Sequence, residues 1–441
     1  MTKLPAPRKY LSADALFGNI RRSFHDIPDP RTGKPDVSLP DALMSGLAVF
    51  VFKDPSLLAF DQRRQKDEEN LRMIFHMEHV PCDTRLREIL DPVAPEQLRP
   101  AFRNVFTQLA RSKALEDLRF LDGYYLLAID GTEYFSSAQI HCSQCCEKHH
   151  RNGEVTYHHQ LLGAALVCPG HKEVIPLMPE PILKQDGEKK NDCERNALKR
   201  FLPKFRQDHP HLRVIATLDA LYANAPVIRD LRDALIPWII RVKPEGNTFL
   251  FKQVRQLAEQ GLTEEFEEIG PDGMYRRYRL AWNVPLNESN PDVRVDFLDV
   301  WTQSSQDPEQ SSSFVLEPLL GLCRERAELL MQGGRARWKI ENETFNTLKN
   351  QGYHFDHNYG HGCQHLSVVL AMLMMLAFLV DQTQQLCCPL FAAAWEKCIS
   401  KRALWERLRE ILHQFKVCSM QEIYEAVLSI RKPPVKILWD P

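Results

Sequence analysis

Three acidic residues stand where an apolar side chain would be easier to bury. Asp130 and Asp219 each end a short apolar run, YYLLAID and LRVIATLD, of the kind that forms a buried strand. Glu341 shares one face with Phe345 and Leu348 when GRARWKIENETFNTLKN is read as a helix. A carboxylate removed from water is costly unless it is paired or bound to a cation.

Taken together, these acids predict a divalent metal site that acts on phosphodiesters. Convergent carboxylates without a partner nearby in sequence favour a hard cation, Mg²⁺ or Mn²⁺. Two such ions would activate an attacking water or hydroxyl and stabilise the leaving oxygen. Either aspartate alone is more often an ordinary turn residue at a strand end, and Glu341 shifts the balance. Glu343 faces the opposite side, where we expect it to be solvated or paired with Lys339.

The elements that must position these acids form a mixed α/β sheet. Residues 1–120 read as helical, with Asp83 as a plausible N-cap. From residue 121 the order is β-β-β-α-β-α-β, and Asn191 or Asp192 is expected to cap the first of these helices. Residues 244–315 form a β-rich insertion that includes a short polar loop, SSQDPEQSSS. Residues 316–388 return to helix, and residues 389–441 form a helical tail.

Composition limits the classes of protein that remain. A chain of 441 residues with 44% apolar and 26% charged residues is a globular protein of two or three domains. The net charge of −2 offers no overall positive field, so a nucleic acid must be bound by local patches. The apolar run from Leu366 to Val380 is shorter than the roughly 20 residues that cross a membrane, which favours a buried helix. The N-terminus lacks a secretion signal, so we expect a cytoplasmic protein whose 12 cysteines stay reduced unless they bind metal.

AIDGTEYF, TLDALYANAP and GRARWKIENETFNTLKNQGYHFDHNYGHG resemble the catalytic motifs of bacterial insertion-sequence transposases of the DDE class. The resemblance runs from about residue 38 to about residue 385. It implies an RNase H-like core with a β-rich insertion before the helix that carries the catalytic Glu, and a helical N-terminal domain that binds DNA. It assigns Asp130, Asp219 and Glu341 as the catalytic, metal-binding triad.

Related cut-and-paste enzymes carry a Tyr-x2-Arg-x3-Glu-x6-Lys signature around the Glu. Arg337 keeps the spacing to Glu341, Gly334 stands in the Tyr position, and Lys349 lies one residue late. The resemblance implies that Arg337 and Lys349 hold DNA phosphates near the metal ions.

A segment rich in Cys and His, IHCSQCCEKHHRNGEVTYHH, could bind zinc. Its Cys-x2-Cys spacing suits a zinc site with Cys142, Cys145, Cys146 and His149 as candidate ligands. The fourth ligand could also be another histidine of the segment, such as His159, or Cys168 or Cys193. The alternative is a polar loop between two strands that contacts DNA.

Other DNA contacts have equally ordinary explanations. Lys189 and Lys190 precede a helix N-terminus, which suits phosphate, but nearby acids make a solvated charge run equally reasonable. Asp192 and Glu194, in the same stretch, could support the catalytic acids. Trp282 and Trp301 are candidates for stacking on a flipped base, although a Trp in such strands is more often core.

Basic pairs in the N-terminal segment could contact DNA phosphates or simply be solvated. They are Arg21–Arg22 and Arg63–Arg64.

The sequence therefore predicts a DNA transposase. It would bind double-stranded DNA at the inverted-repeat ends of its element, free a 3′-hydroxyl and join it to target DNA, as a homodimer on DNA with no membrane partner. The alternatives are a metal-dependent nuclease without strand transfer and a DNA-binding remnant that has lost catalysis. Neither a G-x-S-x-G elbow nor a P-loop occurs in the chain.

Overall fold

The computed structural model describes residues 10–33, 35–184, 191–303 and 310–429, which form helices and a mixed sheet. In chain order the helices are α1 (Ala13–His25), α2 (Leu39–Val51), α3 (Leu57–Phe75), α4 (Asp83–Leu90), α5 (Arg99–Arg111), α6 (Glu194–Asp208), α7 (Ala225–Asp233), α8 (Thr248–Glu259), α9 (Arg324–Arg335), α10 (Asn346–Asn350), α11 (Leu366–Cys387), α12 (Pro389–Cys398), α13 (Lys401–Gln414) and α14 (Met420–Ser429). The strands are β1 (Tyr125–Ser137), β2 (Cys146–His149), β3 (Val155–Val167), β4 (Ile175–Pro176), β5 (Glu180–Ile182), β6 (Val214–Leu218), β7 (Trp238–Val242), β8 (Glu264–Ile269), β9 (Tyr275–Asn287), β10 (Asn290–Gln303) and β11 (Gln310–Leu316). The predicted α/β class is confirmed.

The chain divides into two compact units, and each is assembled from separate segments. Unit 1 comprises Met1–Ala114, Tyr134–His158 and Asn346–Pro441, and unit 2 comprises Leu115–Glu133 and His159–Phe345. Strands β1 and β3 each run from one unit into the other along the chain.

Helix starts follow the predicted positions but not always the predicted residues. Ser38 accepts a backbone N–H at the start of α2, which satisfies one of the donors that a helix leaves free. Cys82 rather than Asp83 occupies the cap position of α4, and Asp83 is the first helical residue. Cys193, rather than either of the two residues before it, occupies the cap position of α6. Neither cysteine accepts a cap hydrogen bond from the backbone, so sequence preference for capping could not find them.

Unit 1 is built around the apolar helix α11. Its predicted apolar run lies within Leu366–Cys387, which is 94% buried over its most apolar stretch. Among the described residues this is the one helix long and apolar enough to cross a membrane. It packs on α2, whose apolar residues are also buried.

The strands of unit 2 follow the order β3-β1-β6-β7-β11-β10-β9-β8. β1 and β6 are parallel, as are β6 and β7, whereas β7 and β11 are antiparallel. The short strands β4 and β5 both pair with β3, in the region where the sequence predicts a single strand. The apolar runs of β6 and β7 are almost fully buried, which is why they lack the polar alternation of an exposed strand.

The segment that the sequence predicts as a β-rich insertion extends this sheet beyond β7. It begins with helix α8 and continues as the antiparallel strands β8 to β11. The polar stretch at 304–313 was predicted as a loop. Residues 304–309 lie outside the described part of the chain, and Gln310 already begins β11, where cross-strand pairing with β10 outweighs the low hydrophobicity.

Candidate active site

Asp130 and Asp219 come together because they lie on neighbouring parallel strands. β1 and β6 pair in register from Tyr125–Val214 to Ala128–Thr217. Asp130 and Asp219 follow two residues beyond that last pair on each strand, so they occupy equivalent positions at the carboxyl end of β6. Carboxyl ends of parallel strands share one edge of a sheet, and ligands of α/β proteins bind there.

Asp130 is mostly buried and lies near one positively charged and two negatively charged side chains. Burial raises the pKa of the Asp130 carboxyl to about 6, the Arg337 guanidinium opposes this shift, and Asp219 and Glu194 add to it. Arg337 Nη1 lies 2.6 Å from Asp130 Oδ2, and both side chains are shielded from solvent. Arg337 therefore acts as the counter-ion of Asp130 in this structure.

One carboxylate oxygen of Asp219 accepts a hydrogen bond from the backbone of the turn that follows it. Its Oδ1 accepts the N–H of Leu221 at 2.9 Å, which caps the 3₁₀ turn Ala220–Tyr222. This is the local role that strand-end aspartates often play. A carboxylate has a second oxygen and further lone pairs, so the turn does not exhaust its capacity as a ligand.

Glu194 joins the two aspartates, and the sequence offered only a weak hint of this. It lies in the first turn of α6, and a Cβ at Gly131 would lie 2.3 Å from Glu194 Cδ, so the side chain rests directly on the backbone beside Asp130. The buried Tyr222 hydroxyl donates to Glu194 Oε2 at 3.1 Å. Burial raises the pKa of Glu194, and the Asp219 charge raises it further while Tyr222 opposes the shift.

Asp192 and Tyr222 lie in the same region, and the sequence predicts the observed contacts of neither. Asp192 is paired with Arg200 at 2.6 Å and does not belong to the carboxylate group around Asp130. Tyr222 was missed entirely, because a tyrosine after a strand-end acid has no distinguishing sequence signal.

Glu341 lies in a π-helical turn, Ile340–Phe345, rather than in a regular α-helix. A π turn carries one more residue per hydrogen-bonded ring than an α turn, so the 3.6-residue phase used to predict its face does not hold through it. Phe345 and Leu348 are buried as predicted, Glu341 is half-buried, and Trp338, expected on the same stripe, is 44% exposed. Glu341 makes no side-chain hydrogen bond or ion pair to any residue that the structure describes.

The π turn is held against strand β3 by Phe345. A Cβ at Gly163 would lie 2.7 Å from Phe345 Cζ, so the ring occupies the space that any other residue at position 163 would fill. Ile340 contacts the same glycine at a longer distance, 3.6 Å to the Cβ position. These contacts fix the backbone of the turn that carries Glu341.

Gly334 stands where the family signature has a tyrosine, and packing explains the difference. A Cβ at Gly334 would lie 2.4 Å from Phe314 Cε1 and 3.0 Å from Phe314 Cζ. Helix α9 therefore touches strand β11 at a point with no room for any side chain. A tyrosine, which the resemblance would place at this position, cannot be accommodated there without displacing Phe314.

The three acids do not form one tight cluster in this structure. Among the described residues, only one set of three or more Asp, Glu, His or Cys ligand atoms lies within 4.8 Å of one another, and it consists of Cys and His. Asp130 and Asp219 interact with each other and with Glu194, whereas Glu341 stands apart from any ion pair.

The predicted phosphate contacts fall in different places. Arg337 is paired with Asp130, as described above, and lies 5.1 Å from the Trp338 ring. Lys349 belongs to unit 1, where its Nζ lies 3.3 Å from Asp356 Oδ1. Lys189 and Lys190 lie outside the described residues.

The two tryptophans of the β-rich segment differ in their surroundings. Trp282 is 39% exposed and its indole N–H donates to the Leu322 carbonyl at 2.9 Å. Trp301 is half-buried, and the guanidinium carbons of Arg277 and Arg279 lie 4.5 and 5.2 Å from its ring centre. Trp301 thus already has cationic partners on its ring face.

The Cys/His set consists of Cys142, Cys145, His159 and His361, with one ligand atom of each within 4.8 Å of the others. Cys142 and Cys145 were predicted as zinc ligands. Cys146 is buried at the start of β2 and lies outside the set. His149 is exposed, and its Nε2 lies 3.3 Å from Glu147 Oε2.

Arginines of the N-terminal helices are largely engaged with acids of unit 1. Arg21 pairs with Asp41 at 2.7 Å, and Arg63 pairs with Asp54 at 2.7 Å. Arg64 lies 2.8 Å from its own helix neighbour at position 61. Arg22 is exposed. Three of the four arginines are therefore paired with acids rather than simply solvated.

No protein-family model matches this chain, and comparison with curated proteins finds no match.

Proposed function

We propose that this protein is a DNA transposase of the DDE class with an RNase H-like core. It would cleave the ends of its own element and join the freed 3′-hydroxyl to target DNA. The observation that carries the proposal is a pair of aspartates at equivalent positions on neighbouring parallel strands, Asp130 within β1 and Asp219 directly after β6, whose charges interact.

The strand arrangement around this pair supports an RNase H-like core. β1 lies at the centre, with β3 on one side and the parallel strands β6 and β7 on the other. Helix α6 precedes β6, and α7 connects β6 to β7. The β-rich segment then precedes the Glu341 turn, in the order that the resemblance implies.

The donor set suits a hard divalent cation. Asp130, Asp219 and Glu194 bring surplus negative charge into a shielded site, and Arg337 is the cation that pairs with Asp130 there. Carboxylate oxygens are the ligands of Mg²⁺ and Mn²⁺. Asp130, Asp219 and Glu341 would hold the ions, and bound ions would supply an activated water or hydroxyl and a stabilised leaving oxygen.

The residues of the chain then have distinct tasks. Asp130 lies within β1 and Asp219 directly follows β6, so the sheet fixes the backbone of both, whereas Glu341 lies in a π turn and makes no ion pair with any described residue. Arg337 neutralises Asp130 in this structure. With ions held by the carboxylates, the Arg337 guanidinium would be available to bind the DNA phosphate beside the cleaved bond.

Glu194 and Tyr222 would support the site from behind. The Tyr222 hydroxyl orients the Glu194 carboxylate, which lies against the backbone next to Asp130. A third carboxylate near two metal ligands raises the negative potential that attracts cations. Glu194 is thus proposed as a positioning residue.

DNA binding by the N-terminal helices, pairing of two element ends in a homodimer and action in the cytoplasm complete the proposal as expectations from the resemblance. Arg22 is exposed and Lys349 is partly exposed, so both could meet phosphate from unit 1. To bind DNA phosphates, Arg21, Arg63 and Arg64 would have to give up most of their present acidic partners.

Incubation of the purified chain with Mg²⁺ and DNA that carries the element ends separates the candidate functions. Joined products support a transposase. Nicks or cuts without joining favour a nuclease without strand transfer. Shifted bands without cutting, with Mn²⁺ as well as Mg²⁺, would favour the DNA-binding remnant and overturn the proposed catalysis.

A further inference from the structure

We infer that Cys142, Cys145, His159 and His361 form a structural zinc site. The inference is independent of the proposed DNA chemistry, because it uses none of the proposed catalytic residues and would use a different metal. Three of the four belong to unit 1, and His159 directly follows the unit's His158 on strand β3. Two thiolates and two imidazoles are the ligand set of closed, tetrahedral zinc sites.

The spacing of the ligand atoms agrees with one tetrahedral ion. With metal bonds near 2.3 Å to sulfur and 2.0–2.1 Å to nitrogen, two sulfurs should lie about 3.8 Å apart and a sulfur and a nitrogen about 3.5 Å apart. Cys142 Sγ lies 3.8 Å from Cys145 Sγ, and Cys145 Sγ lies 3.3 Å from His361 Nε2. All four ligand atoms lie within 4.8 Å of one another.

The β2–β3 hairpin explains how two of the ligands meet. Cys146 pairs with His158 across the hairpin. Cys145 precedes Cys146 and His159 follows His158, so the next position of the antiparallel register brings Cys145 opposite His159. The Cys-x2-Cys turn then adds Cys142, whose backbone N–H donates to Cys145 Sγ at 3.4 Å. Such N–H donors stabilise a thiolate.

His361 is delivered by a fixed turn before helix α11. Gly362 adopts φ +68°, a left-handed conformation that favours glycine, and a Cβ there would lie 2.2 Å from Asp91 Oδ1. The Asp91 carboxylate accepts backbone N–H groups from Cys363 to Leu366, which anchors the start of α11. The Phe135 ring packs on the His361 ring with centroids 4.4 Å apart.

Burial also favours zinc over a solvent-exposed, adventitious cation. Cys145 is 1% exposed, His159 1% and His361 8%, whereas hard cations such as Mg²⁺ prefer oxygen ligands and retain water. A four-ligand site leaves no open position for a substrate. The site therefore ties the β2–β3 hairpin to the turn before α11, across 216 residues of sequence between Cys145 and His361.

Metal analysis of the full-length chain, purified without chelators under reducing conditions, tests the inference. We expect about one zinc per chain and, after exchange, visible ligand-field bands from Co²⁺ in a tetrahedral thiolate site. A chain that holds no stoichiometric zinc and gives no such Co²⁺ spectrum would overturn the inference. This measurement uses wild-type protein, so it does not depend on any variant that folds poorly.

Variants then identify the ligands. Cys142→Ser and His361→Asn should lower the bound zinc by more than about tenfold, since a lost direct ligand weakens binding more than a lost supporting contact. His149→Ala and Cys363→Ser change an exposed His and an exposed Cys outside the set, and they should keep wild-type zinc content. Equal loss of zinc in the control variants, or full retention in Cys142→Ser and His361→Asn, would contradict the assignment. Activity on DNA plays no part in the result.

Discussion

At the scale of single residues, the proposed catalysis depends on an acid that has no partner in the structure. Glu341 and Glu343 lie two residues apart in the same π turn, both half-buried and both without an ion pair among the described residues. Lys339, expected as a partner for Glu343, instead donates to the His171 carbonyl. The two glutamates are therefore a matched pair for mutation.

We predict that Glu341→Gln lowers DNA cleavage by about 100-fold or more, because it removes a charged metal ligand, while binding of element ends persists. Glu343→Gln should leave cleavage within a few-fold of wild type. Cleavage and gel-shift assays on the same end DNA measure both. If the two substitutions reduce cleavage equally, Glu341 has no special role.

The ionisation of Asp130 predicts how stability and metal binding vary with pH. Its pKa is raised from 3.8 to about 6, so the protonated form is favoured in the fold. The stability from this group is present below pH 3.8 and is lost as pH rises through about 6, a change of about 3 kcal/mol. Asp130→Asn should therefore lose less stability than wild type across that interval, as measured by chemical denaturation at several pH values.

A divalent cation should reverse this loss, because it binds the ionised carboxylate. The pKa of Asp130 is about 6. We expect Mg²⁺ or Mn²⁺ to raise the melting temperature of the protein at a pH well above this pKa and to have little effect at a pH well below it. The Asp219→Asn variant should lack the response, and Glu343→Gln should keep it. A melting temperature that rises equally at both pH values would show that the cation binds elsewhere.

At the scale of the element, helix α9 depends on a glycine that a helix would not otherwise favour. Alanine is better than glycine in a helix interior by about 1 kcal/mol. At Gly334, however, a Cβ would lie 2.4 Å from the Phe314 ring, and overpacking of this kind costs about 1–3 kcal/mol. The clash should outweigh the gain.

We therefore predict that Gly334→Ala lowers the free energy of unfolding by about 1–2 kcal/mol. The double variant Gly334→Ala with Phe314→Leu should recover part of the loss. Gly246→Ala is the control, because a Cβ there would meet nothing closer than a backbone oxygen at 3.9 Å. Denaturant unfolding measures all three, and a stabilised Gly334→Ala would show that α9 does not press on β11.

The same elements show what the sequence could and could not predict. Apolar runs located β1 and β6, because burial on both faces of a parallel strand leaves a readable pattern. The predicted end of the first strand at Asp130 was wrong, since β1 continues to Ser137. His159 was one of several histidines that the sequence offered as a zinc ligand, whereas His361 was not predicted, since it meets Cys145 only through a distant turn. The π turn was not predicted either, because the residue types in a π turn do not differ from those in a regular α-helical turn. Glu194 was weighed and left open, as its contact with Gly131 depends on the packing of α6.

At the scale of the whole molecule, a buried ion pair joins helices from both ends of the chain within unit 1. Lys53, just beyond α2, is fully buried and contacts the Asp381 carboxylate of α11, and Tyr353 donates to the same carboxylate. Burial lowers the pKa of Lys53, and Asp381 opposes the shift. The Lys53 ammonium also lies 3.9 Å from the Trp405 ring centre in α13.

We predict that Lys53→Met destabilises the protein by about 3–5 kcal/mol, because it leaves a buried carboxylate without its cation. Adding Asp381→Asn should restore much of the stability. Lys416→Met, which removes an exposed pair with Glu69, serves as control and should have no measurable effect. Equal unfolding curves for Lys53→Met and Lys416→Met would show that the buried pair contributes little.

The division of unit 1 among distant segments has a consequence for how the protein is made. Helix α2 buries nearly all of its apolar side chains, and α11 provides much of the surface that covers them. A ribosome completes α2 more than 300 residues before it reaches the end of α11. The apolar side chains of α2 must therefore stay uncovered by α11 for most of the synthesis of the chain. A gene copy with a stop codon ahead of position 366 should yield an insoluble product.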